Sequence, residues 1–168
     1  HFCPTVSNRD NLTRENITNG IFLTGNTVID ALQTTVRKDF SFTERLLDQL
    51  EYEKRKVVLV TCHRRENYGQ PMEDIMAALA YIARTHPEVS LVYPVHLSPV
   101  VQECAHRHLD GVENAHLIPP LNVEEMHNLM ARCYLVMTDS GGLQEEAPAL
   151  GKPVLVLRKE TERPEAVA

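Results

Sequence analysis

Six short apolar runs punctuate the chain, at 21–24, 57–61, 90–95, 115–118, 134–138 and 153–157. They are rich in Val, Leu and Ile and mostly lack the apolar–polar alternation of a half-exposed strand. The pattern therefore predicts strands buried on both faces, as in a parallel sheet. Segments of helical character lie between them, at 26–38, 43–49, 71–85, 99–107, 123–131 and 143–150. Pro71 suits a first helical turn, and Ile75, Leu79 and Ile82 recur at the three- to four-residue spacing of one helix face. Strand alternating with helix predicts right-handed crossovers and an α/β, doubly wound parallel sheet, in which ligands gather beyond the carboxyl ends of the strands. Residues 50–55 read as a charged surface connector, and no internal repeat or low-complexity tract is present.

A site in such a fold requires unusual residues just after the apolar runs, and that is where they fall. Cys62-His63-Arg64-Arg65-Glu66-Asn67 follows the second run, His96 the third, Pro119-Pro120 the fourth, Asp139-Ser140-Gly141-Gly142 the fifth and Arg158 through Arg163 the sixth. Leaving a strand and opening a helix, Asp139-Ser140-Gly141-Gly142 offers backbone N–H groups unobstructed by Cβ atoms, with a Ser hydroxyl, at the positive end of a helix dipole. This describes an anion cradle. A tight turn with Ser140 as N-cap leaves the same signature, and only the position at a strand's carboxyl end favours the cradle. It is neither a G-x-G-x-x-G nor a Walker loop, so it points to neither a dinucleotide nor ATP.

Glu145 and Glu146 complement the helix dipole without any ligand, but one of them beside a phosphate cradle suits the vicinal hydroxyls of a ribose. His63-Arg64-Arg65-Glu66-Asn67 puts an imidazole and two permanent cations on one loop. A solvated charged loop is the plain alternative; at a strand end, the same groups suit a leaving diphosphate and a proton transfer. Arg163, beside Pro164, would add another guanidinium.

Composition narrows the remaining possibilities. A chain of 168 residues with 43% apolar content has room for one domain with a single core. Its net charge of −6 gives no basic field for nucleic acid, so a phosphate site must be local. No apolar run approaches a membrane span, and the N-terminus lacks the layout of a secretion signal. Cys3, Cys62, Cys104 and Cys133 are spread without a C-x-x-C pair, which fits reduced thiols in a cytoplasmic protein. His106 and His108 lie two apart on an expected helix and diverge around it, so a solvated face is expected there and no metal. The chain opens without Met and stops without a closing element, from which a piece of something longer, truncated at both ends, is expected.

Several motifs together carry a resemblance. "GNTVIDAL" (25–32), "HRREN" (63–67), "YPVH" (93–96), "TDSGGLQEEAPALGKPVLVLR" (138–158) and "TERPEA" (161–166) closely resemble the bacterial non-hydrolysing UDP-N-acetylglucosamine 2-epimerases, and the likeness spans almost the whole chain. It implies the two-lobed GT-B architecture of Rossmann-like halves, with residues 1–168 as the second, nucleotide-binding lobe. It further implies that Ser140, Gly141 and Gly142 hold the UDP phosphates, Glu146 the ribose and Arg163 the diphosphate side, with His63 at the catalytic centre. Met126 stands where some relatives have an aromatic residue near the uracil. Arg64 and His96 match residues that contact a second, activating UDP-N-acetylglucosamine.

The reaction implied is anti elimination of UDP to a 2-acetamidoglucal and re-addition to the opposite face, interconverting UDP-GlcNAc and UDP-ManNAc for cell-envelope polysaccharide, without cofactor or metal. The acid/base carboxylates would come from the missing N-terminal lobe, the full enzyme would be a homodimer, and the fragment alone is expected to be inactive. A UDP-sugar glycosyltransferase of GT-B architecture, a hydrolysing epimerase and a non-catalytic UDP-binding module are the alternatives.

Overall fold

The computed structural model describes residues 1–161. The chain divides into two compact units, His1–Thr35 and Val36–Ala168, where length alone suggested one domain.

The first unit holds β1 (Phe2–Cys3), α1 (Val6–Arg14), β2 (Phe22–Leu23) and α2 (Thr27–Thr35). The apolar run at 21–24 is indeed extended, but it pairs in parallel with β1 as a separate two-stranded sheet, Phe2 opposite Phe22 and Cys3 opposite Leu23. Both residues of β2 are exposed, against the expectation of burial. The Phe2 and Phe22 rings stack at 5.7 Å. Helix α1 was not anticipated because its sequence, VSNRDNLTR, buries nothing and has no apolar face. Its signal lies in the cap: Thr5 Oγ1 accepts from the Asn8 N–H at 3.3 Å, and Asn8 Oδ1 accepts from the Thr5 N–H at 3.2 Å.

The second unit runs α3 (Arg45–Gln49), β3 (Lys56–Thr61), a single 3-10 turn (Arg65–Asn67), α4 (Gln70–Thr85), β4 (Val89–Pro94), α5 (Pro99–Leu109), β5 (Ala115–Ile118), α6 (Val123–Arg132), β6 (Leu135–Thr138), α7 (Leu143–Ala149) and β7 (Val154–Val156). Its five strands are all parallel, in the order β5-β4-β3-β6-β7. This is the parallel sheet expected, with the first strand in the middle. Continuous apolar runs correspond to the centre: β4 is buried throughout and β3 at every residue but Lys56, whereas β5, β6 and β7 are partly exposed.

One face of β3, carrying Val58 and Val60 and continued by Cys62 just beyond the strand, packs with Leu91 and Tyr93 against α4 and α5. The alternate residues Val57 and Leu59 are also buried, and α6, whose Leu129 and Met130 are fully covered, packs against the same strand. Helix α4 begins as its Pro71 predicts, after Gly69 at φ 82°. Its buried stripe is Met72, Met76, Leu79, Ala80 and Ala83, while Ile75 and Ile82, expected at its centre, flank the core half-covered. Unbranched Met72 and Met76 take fully buried positions, and the branched Ile75 and Ile82 lie at the rim. The segment after Thr35 is tied to α6 by buried polar groups: Asn128 Oδ1 accepts from the Arg37 N–H at 2.8 Å and Glu125 Oε1 from the Thr43 N–H at 2.9 Å.

Candidate functional site

From β3 the chain builds β4 and β5 to one side, then returns to build β6 and β7 on the other. The point where the order reverses lies between β3 and β6, and loops leaving two such strands diverge to open a crevice at their carboxyl ends. The loop 62–67 leaves β3 and the bend 139–142 leaves β6, so these two motifs are neighbours at that crevice.

The two loops are joined by a buried polar cluster. Thr61 and Thr138 are register partners, and their hydroxyls lie 2.6 Å apart. Thr138 Oγ1 also accepts from the Ser140 N–H at 2.9 Å, which sets the bend. Asp139 is fully buried. Its Oδ2 accepts from the His63 N–H at 2.8 Å, the Arg64 N–H at 2.8 Å and Asn67 Nδ2 at 2.9 Å. Asn67 Nδ2 donates as well to the Leu157 carbonyl at 3.1 Å, so the loop after β7 joins the same cluster. A buried carboxylate is costly unless donors surround it, and here the donors are two backbone N–H groups and one side-chain amide of the cationic loop itself. Tyr93 completes the cluster by donating its hydroxyl to the Cys62 carbonyl at 2.5 Å. Burial first, and Asp139 second, push the Cys62 thiol far above its ordinary range, so it acts as an apolar filler.

His63 stands at the mouth of this cluster, its side chain 34% exposed, with Nδ1 3.4 Å from Asp139 Oδ1. Its ring stacks nearly parallel on that of His96, at 5.2 Å and 10°. Burial lowers the His63 pKa below its ordinary value; Asp139 opposes this, and His96 and Arg64 add to it. His96 is exposed, and its Nδ1 accepts from the Ser98 N–H at 3.0 Å. Arg64 is half-buried.

On the other side of the bend, α7 starts from Gly142, which has helical torsions of −64° and −50° and no side-chain cap. Ser140 is therefore not the N-cap that the plain reading of the motif required. The Glu145 and Glu146 N–H groups both donate to the Gly142 carbonyl at 3.0 Å. Glu146 is only 13% exposed and lies 3.4 Å from Nε2 of His127, itself 4% exposed. Burial raises the Glu146 pKa, against the pull of His127. A Cβ at Gly142 would sit 3.0 Å from Glu146 Oε1, so the glycine keeps room for this carboxylate beside the bend.

His127 was not found by sequence reasoning, because a histidine on the apolar face of α6 carries no local mark of a partner on α7. Met126 precedes it and is half-buried. Arg163 lies outside the described residues. The segment leading to it is anchored on both sides: Arg158 Nε donates to Glu66 Oε1 at 2.5 Å, and Thr161 Oγ1 donates to Gln144 Oε1 at 2.5 Å.

Away from the crevice, His106 pairs with Asp110 at 2.9 Å and His108 with Glu73 at 2.7 Å. Glu73, Cys104 and His108 bring a carboxylate, a thiol and an imidazole within 4.8 Å of one another. The helix spacing of four that joins Cys104 to His108 marks this group in the sequence, and the spacing of two between His106 and His108 does not. Glu73 already carries Arg107 as a counter-charge there.

A family model described as UDP-N-acetylglucosamine 2-epimerase matches residues 1–168. The chain belongs to this family. It is 53% identical over 168 residues to the UDP-N-acetylglucosamine 2-epimerase of Bacillus subtilis, covering 99% of this chain and 43% of that protein. Among solved structures, the Neisseria meningitidis UDP-GlcNAc 2-epimerase bound to UDP-GlcNAc superposes with a TM-score of 0.91 at 42% identity, covering 99% of this chain and 46% of that one. A Staphylococcus aureus MnaA–UDP co-structure gives 0.90 at 43% identity, covering 99% and 45%. The chain thus spans less than half the length of the epimerases it matches. Among the described residues, no helix is long and apolar enough to cross a membrane.

Proposed function

We propose that this chain supplies the nucleotide-binding lobe of a UDP-N-acetylglucosamine 2-epimerase that interconverts UDP-GlcNAc and UDP-ManNAc by anti elimination and re-addition of UDP. The observation that carries the proposal is the meeting of the His63 loop with the Ser140 bend on one buried carboxylate, at the carboxyl ends of two adjacent strands. Family membership and the UDP and UDP-GlcNAc held by the two matched structures support it.

In this reading Ser140, Gly141 and Gly142 take the phosphates, and Glu146 accepts from the ribose hydroxyls. Burial beside His127 keeps Glu146 from simply repelling the diphosphate. His63 and Arg163 face the negative charge that develops as the C1–O bond to UDP breaks, which is where preorganised donors and cations lower a barrier most. Met126 lies at the uracil end. Arg64 and His96 serve a second UDP-GlcNAc, the activator, with His96 already stacked on the catalytic imidazole. The base that removes the C2 proton comes from another lobe, and the complete enzyme is a cytoplasmic homodimer.

The test uses the complete enzyme with UDP-GlcNAc and no acceptor. Formation of UDP-ManNAc is expected; release of free N-acetylmannosamine, or no change without an acceptor, would overturn the assignment. Ser140→Ala and Glu146→Ala should weaken UDP binding, by about tenfold or more for the charged acceptor. His63→Ala should instead lower kcat by about 100-fold or more and leave UDP affinity near wild type.

A further inference from the structure

Asp139 Oδ2 is saturated by three donors, two of them backbone N–H groups. Its other oxygen, Oδ1, is buried, has no hydrogen-bond partner among the described residues, and faces His63 Nδ1 at 3.4 Å. A fully buried carboxylate with one oxygen reserved is more than a loop anchor needs, because anchoring uses Oδ2 alone. The same ring is stacked on one face by His96, while Asp139 meets it at Nδ1. Approach from Asp139 leaves the imidazole one favoured orientation.

We infer that Asp139 is a positioning residue for His63: its Oδ1 holds Nδ1 as the protonated nitrogen and turns Nε2 toward the leaving diphosphate. The inference rests on the proposed role of His63 in the epimerase reaction. With Nδ1–H engaged, Nε2 is the nitrogen that accepts or returns a proton or hydrogen bond at UDP, and the carboxylate stabilises the imidazolium whenever the ring is charged. Among the described residues, the titratable and charged groups acting on His63 are Asp139, His96 and Arg64. Only Asp139 favours the charged ring, so it counteracts both burial and the two other groups.

Asp139→Asn separates this role from loop anchoring. The amide oxygen must take the Oδ2 position, where three donors converge, which leaves the NH2 at the Oδ1 position. A donor then faces Nδ1, and the neutral ring is forced into the Nε2–H form while the loop keeps its bonds. In the complete enzyme we expect kcat to fall about tenfold or more with KM nearly unchanged. The His63 titration, followed by NMR of the imidazole, should move to lower pH, and the limb of the pH–rate profile that reports it should move with it.

A second measurement needs no variant: nitrogen-15 NMR of the wild-type chain should show neutral His63 protonated on Nδ1. Finding the Nε2–H form in wild type, or an unchanged His63 titration in a folded Asp139→Asn protein, overturns the inference. If instead the tautomer and titration behave as described but His63→Ala epimerises at the wild-type rate, the role given to His63 fails while its positioning by Asp139 stands.

Discussion

Gly142→Ala tests the bend and the carboxylate together. At −64° and −50° the backbone of Gly142 is already helical, so alanine fits without torsional strain. Restricting the unfolded chain at such a position stabilises by about 0.4–1 kcal/mol. Against this, the new Cβ meets Glu146 Oε1 at 3.0 Å, a few tenths of an ångström too close. The obstacle is the end of a flexible side chain, so Glu146 moves and the backbone stays. Moving a 13% exposed carboxylate away from His127 at 3.4 Å sacrifices a partly buried contact, at a cost of about 1 kcal/mol. The two terms nearly cancel, and the Tm of the chain should stay within about 4 °C of wild type.

Ligand binding should respond very differently. Losing a hydrogen bond to a charged acceptor costs about 1.5–3 kcal/mol, equivalent to roughly a 10- to 100-fold rise in Kd for UDP. Calorimetric unfolding gives the first quantity, and titration of the complete enzyme with UDP gives the second. Unchanged UDP affinity at unchanged Tm would show that the placement of Glu146 does not matter to the nucleotide. A Tm loss of about 10 °C would show instead that position 142 cannot hold a Cβ.

Protonation of buried histidines should also lower stability as the medium is acidified from neutrality. Burial holds both His63 and His116 below their ordinary value of 6.5. Each then contributes stability that is complete above pH 6.5 and is lost as pH falls through the lower folded value, because the unfolded chain takes up protons first. Glu146, raised above its ordinary 4.5, works in the opposite sense: its contribution is present below pH 4.5 and lost as pH rises through the folded value. With the opposing carboxylate removed by Glu146→Gln, the urea midpoint should drop between pH 7 and pH 5.5, and a flat or rising midpoint in that variant would contradict the burial of these rings. Leu59→Ala, at a fully buried position in the central strand β3, should cost about 2–5 kcal/mol in urea unfolding; a loss below about 1 kcal/mol would mean that the sheet is not packed on both faces. Thr138→Val removes the acceptor of the Ser140 N–H and leaves the buried Thr61 hydroxyl unpaired, and should both weaken UDP binding and lower the urea-unfolding free energy by about 1–3 kcal/mol; an unchanged UDP affinity would show that the bend does not depend on Thr138.

The sequence alone determined the strands of the main sheet to within a residue or two at each end. A strand buried on both faces must be continuously apolar, and that requirement is local. Local too were the start of α4 at Pro71 and the rule that polar residues collect after the runs rather than before them. The same local pattern misplaced β2, because three apolar residues and a threonine carry no mark of the sheet they join. It also missed α1, whose evidence is a cap and not a period.

The order β5-β4-β3-β6-β7 was decided only in three dimensions, and so was the meeting of the loops that leave β3 and β6. Asp139 is the clearest case. Read along the chain it is a polar residue before a serine, yet its three donors stand 76, 75 and 72 positions earlier. His127 likewise acquires its carboxylate only when α6 and α7 pack. Hydrophobic period reports how each segment meets the core. Which buried charge finds which donor depends on the pairing of distant strands, and no local period encodes that pairing.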